Sequence, residues 1–124
     1  MLDKLFVTLM AMIALPAAAQ TGNPKAELAG RIPGKPVSCI EINRVSGPMI
    51  YGPSTILYRQ SGARIWRLTP AESCPSLRYF AHLSYRNTGR RLCVGDRFDV
   101  APPGSAIASG HCRIGELIPY DKAR

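Results

Sequence analysis

The chain has 124 residues, with 16 Lys+Arg against 8 Asp+Glu and a formal net charge of +8. A chain this short holds one domain with a modest core and has no room for a multidomain enzyme. A cytosolic chain with this charge would point first to nucleic acid, but the N-terminal residues move the expectation elsewhere.

Residues 1–19 read as a cleavable secretory signal. Lys4 supplies a basic n-region, Leu5 to Leu15 is apolar and uncharged, Pro16 breaks the run, and Ala17-Ala18-Ala19 offers small residues for a signal peptidase. The run is too short for a membrane anchor, which needs about 20 apolar residues. No other segment is apolar enough to span a bilayer. The signal carries one charge of each sign, Lys4 and Asp3, so the mature chain keeps its excess of eight positive charges. Periplasmic or secreted localisation follows. The expected partners are then anionic envelope components or an acidic protein rather than nucleic acid. No cofactor is implied.

Residues 20–36 mix proline, glycine and charge and read as a flexible leader, with a turn of helix at Ala26 to Ala29. From Val37 the texture becomes short apolar runs broken by turn residues, so a single domain is expected over 37–124. Thr55–Gln60 and Ala63–Thr69, joined through Ser61-Gly62, predict a β-hairpin. Thr69-Pro70-Ala71-Glu72 resembles a helix start, soon stopped by Cys74-Pro75, so one turn or a loop is expected. Leu77 to Arg86 alternates as a strand: Leu77, Tyr79, Ala81, Leu83 and Tyr85 fall on one side, Arg78, Phe80, His82, Ser84 and Arg86 on the other. Two short strand-like runs, Arg91–Val94 and Arg97–Val100, flank a bend at Gly95-Asp96. Gly110 to Tyr120 is the last strand, kinked at Gly115. Six or seven short strands with little helical periodicity predict an all-β sandwich or barrel.

Cys39, Cys74, Cys93 and Cys112 are scattered singly, without the close ligand pairs of a zinc ribbon, so two disulfides are expected and no metal. Three pairings are open. Because first and last strands of small β domains are often neighbours, Cys39–Cys112 with Cys74–Cys93 is slightly favoured over Cys39–Cys74 with Cys93–Cys112.

These cysteines stand in a wider pattern: Arg31-Ile32-Pro33-Gly34-Lys35-Pro36 before Ser38-Cys39-Ile40, then Thr55-Ile56-Leu57-Tyr58-Arg59, Cys74-Pro75-Ser76-Leu77, Leu92-Cys93-Val94-Gly95-Asp96, and Cys112-Arg113-Ile114-Gly115-Glu116-Leu117 with Ile118-Pro119. Over residues 31–120 this resembles a family of small exported proteobacterial proteins, a domain of unknown function with a four-cysteine framework. The resemblance implies export and a disulfide-stapled domain, and no activity.

The residues that could carry chemistry are few. His82 and His111 are the only histidines. Ser84, Ser105 and Ser109 sit in no Gly-x-Ser-x-Gly elbow. Asp96, Asp99 and Glu116 are the carboxylates best placed to matter, though Gly95-Asp96 also reads as a turn in which Asp accepts a backbone hydrogen bond. A small envelope hydrolase would combine Asp96 or Asp99 with His82; an inhibitor of an envelope enzyme would show an apolar patch ringed by arginine. The leading expectation is a non-enzymatic binding or structural module. It would use some of Arg59, Arg64, Arg67, Arg78, Arg86, Arg90, Arg91, Arg97 and Arg113, whose guanidinium forks suit phosphate and carboxylate. Arg59, Arg64, Arg67 and Arg86 are the candidates singled out, with Tyr58 and Trp66 as neighbouring stacking surfaces.

Overall fold

The computed structural model describes residues 24–86 and 89–123; the expected signal peptide lies outside them. A one-turn helix, α1 (Pro24–Leu28), precedes nine strands: β1 (Arg31–Pro33), β2 (Cys39–Glu41), β3 (Ser46–Ile50), β4 (Ile56–Gln60), β5 (Arg64–Pro70), β6 (His82–Arg86), β7 (Arg91–Cys93), β8 (Arg97–Ala101) and β9 (Gly110–Lys122). The all-β expectation holds, with more strands than anticipated, β1 among them, which lies in the stretch expected to be a leader.

β9 organises the molecule. One of its edges carries β5, in register from Arg64 opposite Asp121 to Pro70 opposite Ile114. The other edge carries β8 along Gly110 to Arg113 and β1 along Tyr120 to Lys122. Between them the backbone continues the ladder: Gly34 N–H donates to the Pro119 carbonyl at 2.7 Å and Val37 N–H to that of Leu117 at 2.9 Å. Residues 31–36, part of the expected leader, therefore run along β9 with Val37, the expected start of the domain. The full order is β3-β4-β5-β9-β8-β6, and β2 pairs with β7 in a separate two-stranded sheet.

The sheet curls. β4 and β6 are separated by three strands in the order, yet the Tyr58 and Tyr85 hydroxyls are hydrogen-bonded to each other. That contact needs a half-barrel, the shape that accumulated strand twist produces. Its concave side holds Ile56, Tyr58, Trp66, Leu68, Phe98, Val100, Ile114 and Leu117, and the small sheet adds Ile40 and Leu92. Each such side chain stabilises the fold by about 1.5–3 kcal/mol on full burial.

The hairpin of β4 and β5 forms as expected, with Ser61 and Gly62 at φ 32° and 53° in its turn. The kink at Gly115 is a register shift against Thr69 and Pro70. A Cβ on Gly115 would sit 2.6 Å from the Ala71 Cα, a backbone atom that cannot rotate away.

Three expectations are corrected. The disulfides are Cys39–Cys93 and Cys74–Cys112, the pairing given least weight. The last strand does lie beside an early one, but that strand is β1, upstream of Cys39. Cys39 itself is on β2, directly opposite Cys93 on β7, with their Cα atoms 4.0 Å apart. Of the one turn or loop expected from Thr69, a loop forms, but only after Pro70. Both Thr69 and Pro70 belong to β5, and the Ala71 N–H donating to the Arg113 carbonyl holds the chain extended beyond them. A proline without an N–H is tolerated there because it falls at the bulge. Finally, the strand over 77–86 begins only at His82. Leu77 and Ala81 are buried, as the alternation requires, but from turns in which their N–H groups bond to Cys74 and Arg78 carbonyls. Phe80 adopts φ 66°, a left-handed conformation costing a bulky side chain about 1–3 kcal/mol.

A candidate anion-binding face

β6, β8 and β9 lie side by side at one end of the curled sheet. Along β8, Phe98 and Val100 point into the core, so Arg97 and Asp99 face outward. In β6 the exposed residues are His82, Ser84 and Arg86. The start of β9 exposes His111 and Arg113. The registers place these side chains in two parallel rows. One row is Arg86, Arg97 and Arg113; the next is Ser84, Asp99 and His111.

Three guanidinium groups on directly adjacent positions repel one another. A single carboxylate moderates them. Asp99 accepts from Arg86 Nε at 3.0 Å through one oxygen and meets His111 Nδ1 at 2.5 Å through the other. The His111 hydrogen bond, followed by Arg86, holds the Asp99 carboxyl below the ordinary carboxylate range. Because the shift is downward, its contribution to folding is present above the ordinary value of 3.8 and is lost as pH falls through and below it. The Asp99 side chain is only 19% exposed, whereas those of Arg86 and His111 are 65% and 66% exposed. Arg97 and Arg113 are also exposed. The structure gives them no hydrogen-bond or ion-pair partner among the described residues. With Arg86, Asp99, His111 and Cys112 they line a hollow of about 390 Å³. Arg86 also borders a neighbouring hollow of about 710 Å³ lined by Glu41, Asn43, Arg90, Arg91 and Asp96.

The four arginines singled out from sequence are not brought together. Arg59 on β4 is bonded to Glu27 of α1. Arg64 on β5 makes a two-point contact with Asp121, Nε to Oδ1 at 2.7 Å and Nη2 to Oδ2 at 3.0 Å, and its guanidinium carbon lies 5.3 Å from the centre of the Trp66 ring. Arg67 lies mid-sheet, between Leu57 of β4 and Ile118 of β9, and its Nε is buried without a hydrogen-bond partner among the described residues. Arg86 alone belongs to the three-arginine row. Tyr58 and Trp66 are buried, so neither is a stacking surface; the Trp66 indole N–H donates to Gln60 Oε1 at 2.7 Å.

The expected hydrolytic groups are also separated. Asp96 closes its own turn, accepting the Cys93 N–H at 2.8 Å, with Gly95 at φ 92°. His82 stands opposite Ala101 rather than Asp99. Asp99 is paired instead with His111. Ser84, Asp99 and His111 do share a row, but the carboxylate is in the middle. A hydrolytic triad needs the imidazole between the serine and the carboxylate.

Sequence reasoning therefore passed over the arginine row as a set and the Asp99–His111 pair. The signal was available: Arg97–Val100 and the strand beginning at Gly110 flank a Pro-Pro-Gly loop, and pairing them as a hairpin puts Arg97 beside Arg113 and Asp99 beside His111. Comparison with protein-family models, with curated proteins and with solved structures finds no match for the chain.

Proposed function

We propose that this chain is an exported, non-enzymatic binding module of the bacterial envelope, and that Arg86, Arg97 and Arg113 form its anion-binding site. The carrying observation is the register that lines up three arginines across β6, β8 and β9 with only one carboxylate beside them. A phosphate or carboxylate group bound there relieves the repulsion and accepts paired hydrogen bonds from guanidinium forks. Export rests on the N-terminal residues, on the two disulfides, and on the resemblance to exported proteobacterial proteins. Among the described residues no helix is long and apolar enough to cross a membrane.

Calorimetric titration with pyrophosphate at low salt tests the site. Arg97→Ala with Arg113→Ala is expected to weaken binding about tenfold or more, since each charge-assisted hydrogen bond contributes about 1.5–3 kcal/mol. A control removing the same two charges elsewhere, Arg59→Ala with Arg64→Ala, is expected to bind as the unaltered protein does. Equal losses in both variants would show that net charge alone attracts the anion, and would remove the site.

A further inference from the structure

Two loops meet beyond the end of the same three strands. One runs through residues 75–81 into β6; the other, residues 102–109, joins β8 to β9. The Cys74–Cys112 disulfide ties the base of the first loop to β9. The Ser76 hydroxyl donates to the Ser109 carbonyl at 3.3 Å. Gly110 passes so close that a Cβ there would lie 2.3 Å from the Ser76 oxygen. Pro75, Ser76, Arg78, Pro102, Pro103 and Ser109 line a shared hollow of about 420 Å³. The two loops thus form one braced tip.

That tip is unusual in chemistry. Phe80 is 72% exposed, Tyr79 46% and Ile107 80%. Tyr79 and Phe80 pack edge to face with ring centres 4.2 Å apart. Neither loop contains an aspartate or glutamate, and the one charged residue is Arg78. The backbone at Phe80 is in the left-handed region, so the fold tolerates strain while leaving a large apolar ring in water. Apolar side chains exposed in this way mark contact surfaces.

We infer that this tip docks on an anionic lipid surface, with Phe80, Tyr79 and Ile107 entering the interfacial layer and Arg78 meeting headgroup phosphates. Tyr79, an aromatic ring with a polar edge, favours that layer, and Phe80 and Ile107 bury apolar surface in it. Two loops that themselves carry no carboxylate, on a chain of net charge +8, favour approach to an anionic bilayer. The inference stands apart from the arginine row: His82 and Ala101, where the tip joins the strands, are four residues along β6 and β8 from Arg86 and Arg97.

The test is partition of the disulfide-bonded protein onto vesicles of phosphatidylglycerol and phosphatidylcholine in a 3:7 ratio. Tyr79→Ser with Phe80→Ser, whose fold is checked by circular dichroism, is expected to lower the partition coefficient about tenfold or more, because two exposed rings lose their apolar burial. In a Phe80→Trp variant the added fluorescence is expected to be quenched by brominated acyl chains. Arg97→Ala with Arg113→Ala is expected to keep that quenching while losing pyrophosphate, which separates the tip from the arginine site. Unchanged partition of the serine variant, or an unquenched Trp at position 80, overturns the inference. So does a dimer seen by sedimentation velocity and abolished by the serine substitutions, since the patch would then be covered by a second copy of the chain.

Discussion

Replacing Cys74 and Cys112 together by alanine is expected to cost about 4 kcal/mol of stability, read as a fall in the urea midpoint at pH 7. The bridge closes 38 residues of chain, and restricting that loop in the unfolded state accounts for a loss of this size. Such a loss is a large share of the roughly 5–15 kcal/mol that holds a small domain together. Cys74 is fully buried, so two small apolar residues in its place also leave unfilled space beside Leu77. Cys39→Ala with Cys93→Ala is expected to act through a loop of 54 residues and to cost a similar amount. The two bridges differ in where they act. Cys39–Cys93 clamps the small sheet, whereas loss of Cys74–Cys112 frees the base of the aromatic tip. Non-reducing peptide mapping checks the connectivity directly. A peptide linking Cys39 to Cys112 would contradict the pairing of β2 with β7.

The tyrosine pair sets the alkaline limit. Tyr58 and Tyr85 come from strands with three others between them in the sheet order, so their mutual hydrogen bond closes the half-barrel. Burial pushes the Tyr58 phenol from 10.0 up to about 12. Burial also raises that of Tyr85, reinforced by Tyr58 beside it. Both folded-state values lie above the unfolded one, so the neutral pair's contribution is fully present below pH 10. It is lost as pH rises through about 10 to 12 and beyond. The loss for the pair is on the order of a few kcal/mol. The expected result is a thermal midpoint that falls steeply above pH 10, measured by circular dichroism. Tyr85→Phe is expected to cost about 1–3 kcal/mol at neutral pH, because the Tyr58 hydroxyl is left buried without its partner. The double variant Tyr58→Phe with Tyr85→Phe is expected to lose less than the two single losses combined, since no orphaned hydroxyl remains. Strict additivity of the two would mean that the hydroxyls do not meet, and that the sheet is more open than described.

The hairpin of β4 and β5 and the bulge at Gly115 could be read from residues close together in the chain. Ser61-Gly62 between two β-branched and aromatic runs dictates a turn, and local backbone preference is enough to place it. Alternation likewise identified Leu83 and Tyr85 as inward-facing, because a period of two is a property of the strand alone. It overran the strand at Leu77 and Ala81, where burial is enforced by turns. Thr69-Pro70-Ala71-Glu72 shows the converse error. Its helix-start pattern is genuine, but pairing with β9 and the Ala71–Arg113 hydrogen bond outweigh a preference of a few tenths to about 1 kcal/mol.

Composition and short-range pattern were sufficient for an all-β chain stapled by four cysteines and carrying excess positive charge, because each depends on residue type or on near neighbours. Which cysteines join, and which arginines stand together, depends on strand order. Arg59, Arg64, Arg67 and Arg86 share a chemistry but lie on three strands of a curled sheet, with Arg59, Arg64 and Arg86 each bonded to a different carboxylate and Arg67 half-buried. Arg86, Arg97 and Arg113 become neighbours only because β8 pairs with both β6 and β9. A hairpin reading can bring β8 beside β9, but the pairing of β6 with β8 and the registers that align all three are set by the core they have to fill.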